Sequence, residues 1–168
     1  MQSLKSSLVL WAALAMVSGL SACGGGGSDD TPLSSSTALT VTPSLGRILN
    51  AAIEARCLAT GKVLGSGSTD PSGPITLSGT CSGPVLVELL ANGGTQYFDE
   101  NLGALVALPA GSALRAIVPT FTAGTPLNLA ITPLTEIATR QAIAAAGSEA
   151  AVTATQALAA NTAVVTQI

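Results

Sequence analysis

Between Leu45 and Ile131 every apolar stretch is soon cut by glycine, proline or an asparagine–glycine turn, a punctuation that admits short strands and excludes long helices. Ile53, Ala55 and Cys57 alternate with Glu54 and Arg56, the period of a half-buried strand. Thr60-Gly61-Lys62 reads as a turn, after which Lys62–Leu64 restarts pairing. Thr69-Asp70-Pro71-Ser72-Gly73 is a second turn, in which Pro71 pre-sets φ and Gly73 is expected at positive φ. Ile75 and Leu77 then point away from Thr76 and Ser78. Pro84–Leu90 is almost continuously apolar with Glu88 its one charge, which suits a central strand covered on both faces. Asn92-Gly93-Gly94 is expected to close a hairpin into Thr95–Phe98. Leu105–Leu108, Leu114–Val118 and Leu127–Ile131 supply three more strands. About seven short strands at this spacing predict a mainly β fold, an antiparallel β-sandwich over 45–131.

The period changes after Ile131. Thr132 before Pro133 is a helix start, a capping hydroxyl followed by the proline that suits the first helical position. Leu134, Ile137, Ala138 and Ala142 mark the apolar stripe of this helix, and Gly147 ends it. Ser148 and Glu149 open a second helix through Val152, Leu158 and Val165, so that 132–168 forms an α-helical hairpin. No stop signal precedes Ile168, and the chain reads as the N-terminal piece of a longer protein.

The other end carries an address. Lys5 is followed by an apolar run from Leu8 to Val17, about the length of a signal-peptide core and short for a bilayer of ~30 Å. Leu20-Ser21-Ala22-Cys23 then resembles the lipobox of bacterial lipoproteins, with small residues before a cysteine that accepts lipid. The resemblance implies cleavage between Ala22 and Cys23, removal of 1–22, and a diacylglycerol and palmitate-type anchor on Cys23. Each buried methylene of such an anchor contributes about 0.8 kcal/mol. Gly24, standing where an aspartate would signal inner-membrane retention, implies the outer membrane. Gly24–Gly27, the acids Asp29 and Asp30, and Pro32 to Ser44 read as a lipid-anchored flexible linker over 23–44, with a first strand entering at Leu39–Thr42.

Composition narrows the partners. Hydrophobic residues make up 48% of the chain and charged ones 9%, as in globular exported domains rather than disordered tails. The chain has 6 basic against 9 acidic residues, and Lys5 leaves with the leader, so the remainder is more acidic still. A thinly charged acidic surface excludes nucleic acid as the expected partner. Once Cys23 is lipidated, Cys57 and Cys81 are an even pair in an exported chain and read as a disulfide. A redox pair usually has the Cys-x-x-Cys spacing, and a zinc site needs further ligands.

Leu45–Leu90, with Thr60-Gly61-Lys62-Val63-Leu64 and the Thr69-Asp70-x-x-Gly73 turn, resembles the carboxypeptidase-regulatory-like domain, a transthyretin-like or immunoglobulin-like sandwich. Over Cys81–Ile168, the segments Pro84-Val85-Leu86-Val87-Glu88, Tyr97-Phe98-Asp99-Glu100, Leu114-Arg115-Ala116 and Ile131-Thr132-Pro133-Leu134-Thr135-Glu136 look like a module of proteobacterial surface lipoproteins. These likenesses imply a place and a fold, the periplasm or cell surface, and no reaction.

The chain has no histidine, which removes the usual general base, the Ser-His-Asp and Cys-His pairings and the commonest metal ligand. Lys62 beside a turn glycine reads as a solvated strand-end charge, and Glu136 as a partner of its helix dipole. Asp99, Glu100 and Asn101 are the one candidate cation site, with a hydrogen-bonded turn the simpler role. The expectation is therefore a non-enzymatic envelope lipoprotein without metal or cofactor beyond its lipid, serving as a structural or binding module. Its expected partners are the membrane and an envelope protein or carbohydrate. The alternatives are a surface adhesin, which would want an exposed aromatic platform, and the accessory N-terminal region of a larger exported enzyme.

Overall fold

The computed structural model describes residues 36–43, 46–70 and 73–166. The leader, the lipobox with Cys23 and most of the linker lie outside these residues, as do Pro71 and Ser72 at the centre of one turn. In chain order the strands are β1 (Ser36–Pro43), β2 (Ile48–Leu49), β3 (Ala52–Cys57), β4 (Val63–Ser68) and β5 (Ile75–Ser78). They continue with β6 (Val85–Leu90), β7 (Gln96–Asp99), β8 (Ala104–Ala107), β9 (Ala113–Val118) and β10 (Leu127–Ile131). Two helices follow, α1 (Pro133–Ala146) and α2 (Ala154–Val165), separated by a 3-10 turn at Glu149–Ala151. The chain is mainly β with two C-terminal helices, as its punctuation predicts.

The strands form three sheets, ordered β4-β3-β6-β9, β10-β1-β5 and β2-β7-β8. The first is antiparallel throughout, and β6 is one of its central strands. Val85, Val87 and Leu89 join a core shared with Ile53, Ala55 and Cys57 of β3 and with Leu39, Leu77 and Ile131 of the β10-β1-β5 sheet. Leu86 faces the other way, into a second core with Leu58, Ile117 and Ala138, Ala142, Ala157 and Val164 of the helices. A strand with apolar layers on both sides must be apolar at successive positions, which is why Pro84–Leu90 breaks the alternation seen in β3. Each fully buried aliphatic side chain of this kind contributes about 1.5–3 kcal/mol.

Gly65 and Gly67 set the approach of β5. A Cβ at Gly65 would lie 2.5 Å from the Thr76 carbonyl oxygen, and one at Gly67 would lie 2.8 Å from the Ile75 side chain. Only hydrogen at these positions lets β4 and β5 pack this closely.

Three expectations about the strands are corrected. Ser36–Pro43, assigned to the linker apart from Leu39–Thr42, is a full strand with Leu39 at the bottom of the core. β1 pairs with β10 in parallel, so the β10-β1-β5 sheet is mixed rather than antiparallel. Asn92-Gly93-Gly94 closes no hairpin, because β6 pairs with β3 and β9 whereas β7 pairs with β2 and β8. The turn instead hands the chain to another sheet, tied by the Asn92 Nδ2 and Thr95 Oγ1 donors to the Asn50 carbonyl at 2.8 and 2.9 Å.

The helix start is as predicted: Thr132 caps α1 through a reciprocal box with Thr135, Pro133 opens it, and Gly147 closes it at φ 81°. The stripe is not. Glu136, Ala138, Thr139 and Ala142 are buried, whereas Leu134 and Ile137 are exposed. Likewise α2 begins at Ala154, capped by Thr153, rather than at Ser148, and it buries Ala157, Ala160 and Val164 while exposing Leu158 and Val165.

Candidate functional site

Cys57 and Cys81 are joined, with an S–S distance of 2.03 Å and Cα atoms 5.5 Å apart. The bond ties the end of β3 to the segment between β5 and β6, beside the shared core. Asp99, Glu100 and Asn101 fall together in the β7–β8 turn. There the Asp99 carboxylate accepts the backbone N–H groups of Asn101 and Leu102 at 2.9 and 3.1 Å, an Asx-type turn. Among the described residues no group of three or more acidic or cysteine side chains is placed to hold a metal ion. Lys62 follows the β3–β4 turn and has no carboxylate partner among the described residues.

Two features escaped the linear reading. The first is a chain of charges between the sheet and the helices. Arg115 of β9 meets Glu136 of α1 through two hydrogen bonds, Nε to Oε2 at 3.0 Å and Nη2 to Oε1 at 2.7 Å. Its Nη1 donates to Glu149 Oε1 at 3.2 Å, and Arg56 of β3 donates to the other oxygen of Glu149 at 2.7 Å. Arg140 reaches back one helical turn to Glu136 at 2.7 Å.

Burial alone would raise the Glu136 pKa, but the hydrogen bonds and charges of Arg115 and Arg140 outweigh it and hold the carboxyl below its ordinary value. The hydrogen bond to Glu136 raises the Arg115 pKa, against desolvation and with help from the charges of Glu136, Glu149 and Glu88. Glu136 already accepts from three donors, so the arrangement is a latch rather than an acid–base pair. Arg115 and Glu136 stand in two of the segments that carry the lipoprotein likeness, yet nothing in their spacing says that they meet. Thr139, on the buried face of α1 and 1% exposed, has no partner for its hydroxyl among the described residues.

The second feature is a recess of about 390 Å³ beside β1. Val41, Ile48 and Ile53 line its apolar part, and Thr40, Thr42 and Ser68 bring hydroxyls. Arg47 lies on its wall, exposed and with no carboxylate partner among the described residues. Its backbone is fixed, since the Arg47 carbonyl accepts the Phe98 N–H at 2.9 Å where β2 meets β7. A single guanidinium over hydroxyls and aliphatic carbon suits a ligand with one carboxylate and an apolar part.

No protein family, no curated protein and no solved structure matches this chain.

Proposed function

We propose that this chain is a cell-envelope lipoprotein, held to the outer membrane through Cys23, whose β-rich body is a non-catalytic binding module. The observation that carries the binding role is the recess at Arg47, where a residue held by its backbone lines a partly apolar wall and has no carboxylate partner among the described residues. The compartment is supported by the Cys57–Cys81 disulfide, since such bonds persist in exported proteins, and by the lipobox-like Leu20–Cys23 in the sequence. A transthyretin-like sandwich is the proposed architecture of the body. What supports it is the single core shared by the β4-β3-β6-β9 and β10-β1-β5 sheets. An adhesin that stacks sugars is less favoured, because Phe98 is the one exposed aromatic side chain among the described residues.

Intact mass of the protein from a native bacterial membrane fraction tests the anchor and the compartment together. The expected mass lacks 1–22, carries acyl chains, and gains two alkyl groups only after reduction. A soluble, unlipidated product, or thiols that react without reductant, would overturn the placement.

A further inference from the structure

β1 has neighbours on both sides along only part of its length. Its ladder to β5 covers Ser36–Leu39 and its ladder to β10 covers Leu39–Pro43, so Thr40–Pro43 face no strand on the β5 side among the described residues. The opposite strand shows why. In the β5 register Leu39 meets Ile75, so the next step would bring Pro74 against Thr40, and proline has no N–H to donate. The ladder stops there, and the backbone groups of Thr40–Thr42 that point away from β10 have no partner among the described residues.

Burial records the same gap. Thr37 and Leu39 are covered, but Val41 and Pro43, next along the same face, are only half-buried. The recess at Arg47 borders this stretch of β1, and Thr40–Pro43, Ser68, Thr69 and Gly73 line it. An open strand edge is a template for another chain unless it is capped, charged or bulged. Here it ends beside Arg47, which has no carboxylate partner among the described residues, in a protein whose net charge is −3.

We propose that the recess takes an extended peptide segment of a partner protein, added antiparallel to Thr40–Thr42 in line with β5, with a carboxylate of that segment paired to Arg47. Main-chain hydrogen bonds to the open edge supply affinity, an apolar side chain packs over Val41 and Ile53, and Arg47 supplies selectivity for an acidic residue. The inference deepens the binding-module reading and rests on it, but it does not depend on the lipid anchor.

The test uses the processed full-length protein in detergent and a fluorescein-labelled peptide, Thr-Val-Thr-Val-Thr-Asp amide, read by anisotropy. Saturable binding is expected. Replacing the aspartate by asparagine should weaken it about tenfold, the scale of a hydrogen bond to a charged group. Replacing the second valine by proline, which removes a ladder donor, should weaken it at least as much. Arg47→Gln, checked by an unchanged melting curve, should bind the aspartate and asparagine peptides equally. Equal binding of the proline peptide, or an undiminished aspartate preference in Arg47→Gln, would overturn strand addition. Self-association in sedimentation that Arg47→Gln abolishes would assign the edge to a second copy and also overturn it. If the peptides fail while an oligogalacturonate binds, the peptide inference falls and a binding module remains. If every probe fails, both readings fall.

Discussion

Glu136 accepts hydrogen bonds from Arg115 and Arg140 while its side chain is only 10% exposed, so its charge matters more than that of a surface glutamate. Its folded-state pKa is lowered, so this stabilisation is complete above the unfolded value of about 4.3 and is lost as pH falls through the folded value. Glu136→Gln should therefore cost about 2 kcal/mol at neutral pH and flatten the acid limb of the stability curve. Urea unfolding at several pH values between neutral and acid checks this, and an unchanged acid limb would refute it. The sequence placed Glu136 in the first helical turn but could not supply its partner. Arg115 lies on another element, and a salt bridge leaves no periodic trace. Asp99 was more legible, because an Asx turn is made with neighbouring amides and is written locally.

At the scale of elements, β3 and β6 were visible because one has a single apolar face and the other has two. The two glycines of β4 carry no such pattern, and their meaning appears only where β5 lies against them. Gly65→Ala would press a methyl group on the Thr76 carbonyl, and the expected loss is about 2 kcal/mol. Thermal denaturation of the variant, set beside Gly61→Ala, separates the two uses of glycine. Gly61 has nothing within 4 Å of its would-be Cβ but sits at φ +70°, so its cost is conformational, about 1 kcal/mol. The helix stripe misled for a related reason. The face a helix buries is chosen by what covers it, and here Arg115 draws Glu136 inward while Leu134 and Ile137 turn out.

For the whole molecule, the disulfide closes a loop between residues 24 apart and stabilises by about 3.5 kcal/mol in chain-entropy terms. Cys81→Ala should lower the melting temperature by roughly 10 °C, given a shift of a few degrees per kcal/mol for a domain of this size. Calorimetry with and without reductant checks it, since the wild type with reductant should melt near the variant. The bond acts on the unfolded chain as much as on the folded one, so its loss should leave the recess at Arg47 intact.

By itself the sequence determined the class of fold, the strand-rich body, the start and stop of α1 and the pairing of the two cysteines. Each of these rests on local chemistry: alternation, turn residues, capping hydroxyls and, on the proposal that the chain is exported, an even pair of thiols. Only the tertiary structure decided that β1 belongs to the core, that β10 runs parallel to it, and that β6 and β7 part into different sheets. The Arg115–Glu136 latch and the open edge beside Arg47 were decided there too. Pairing and ion-pair partners join residues far apart along the chain, and their energy depends on register and burial, which no single segment contains.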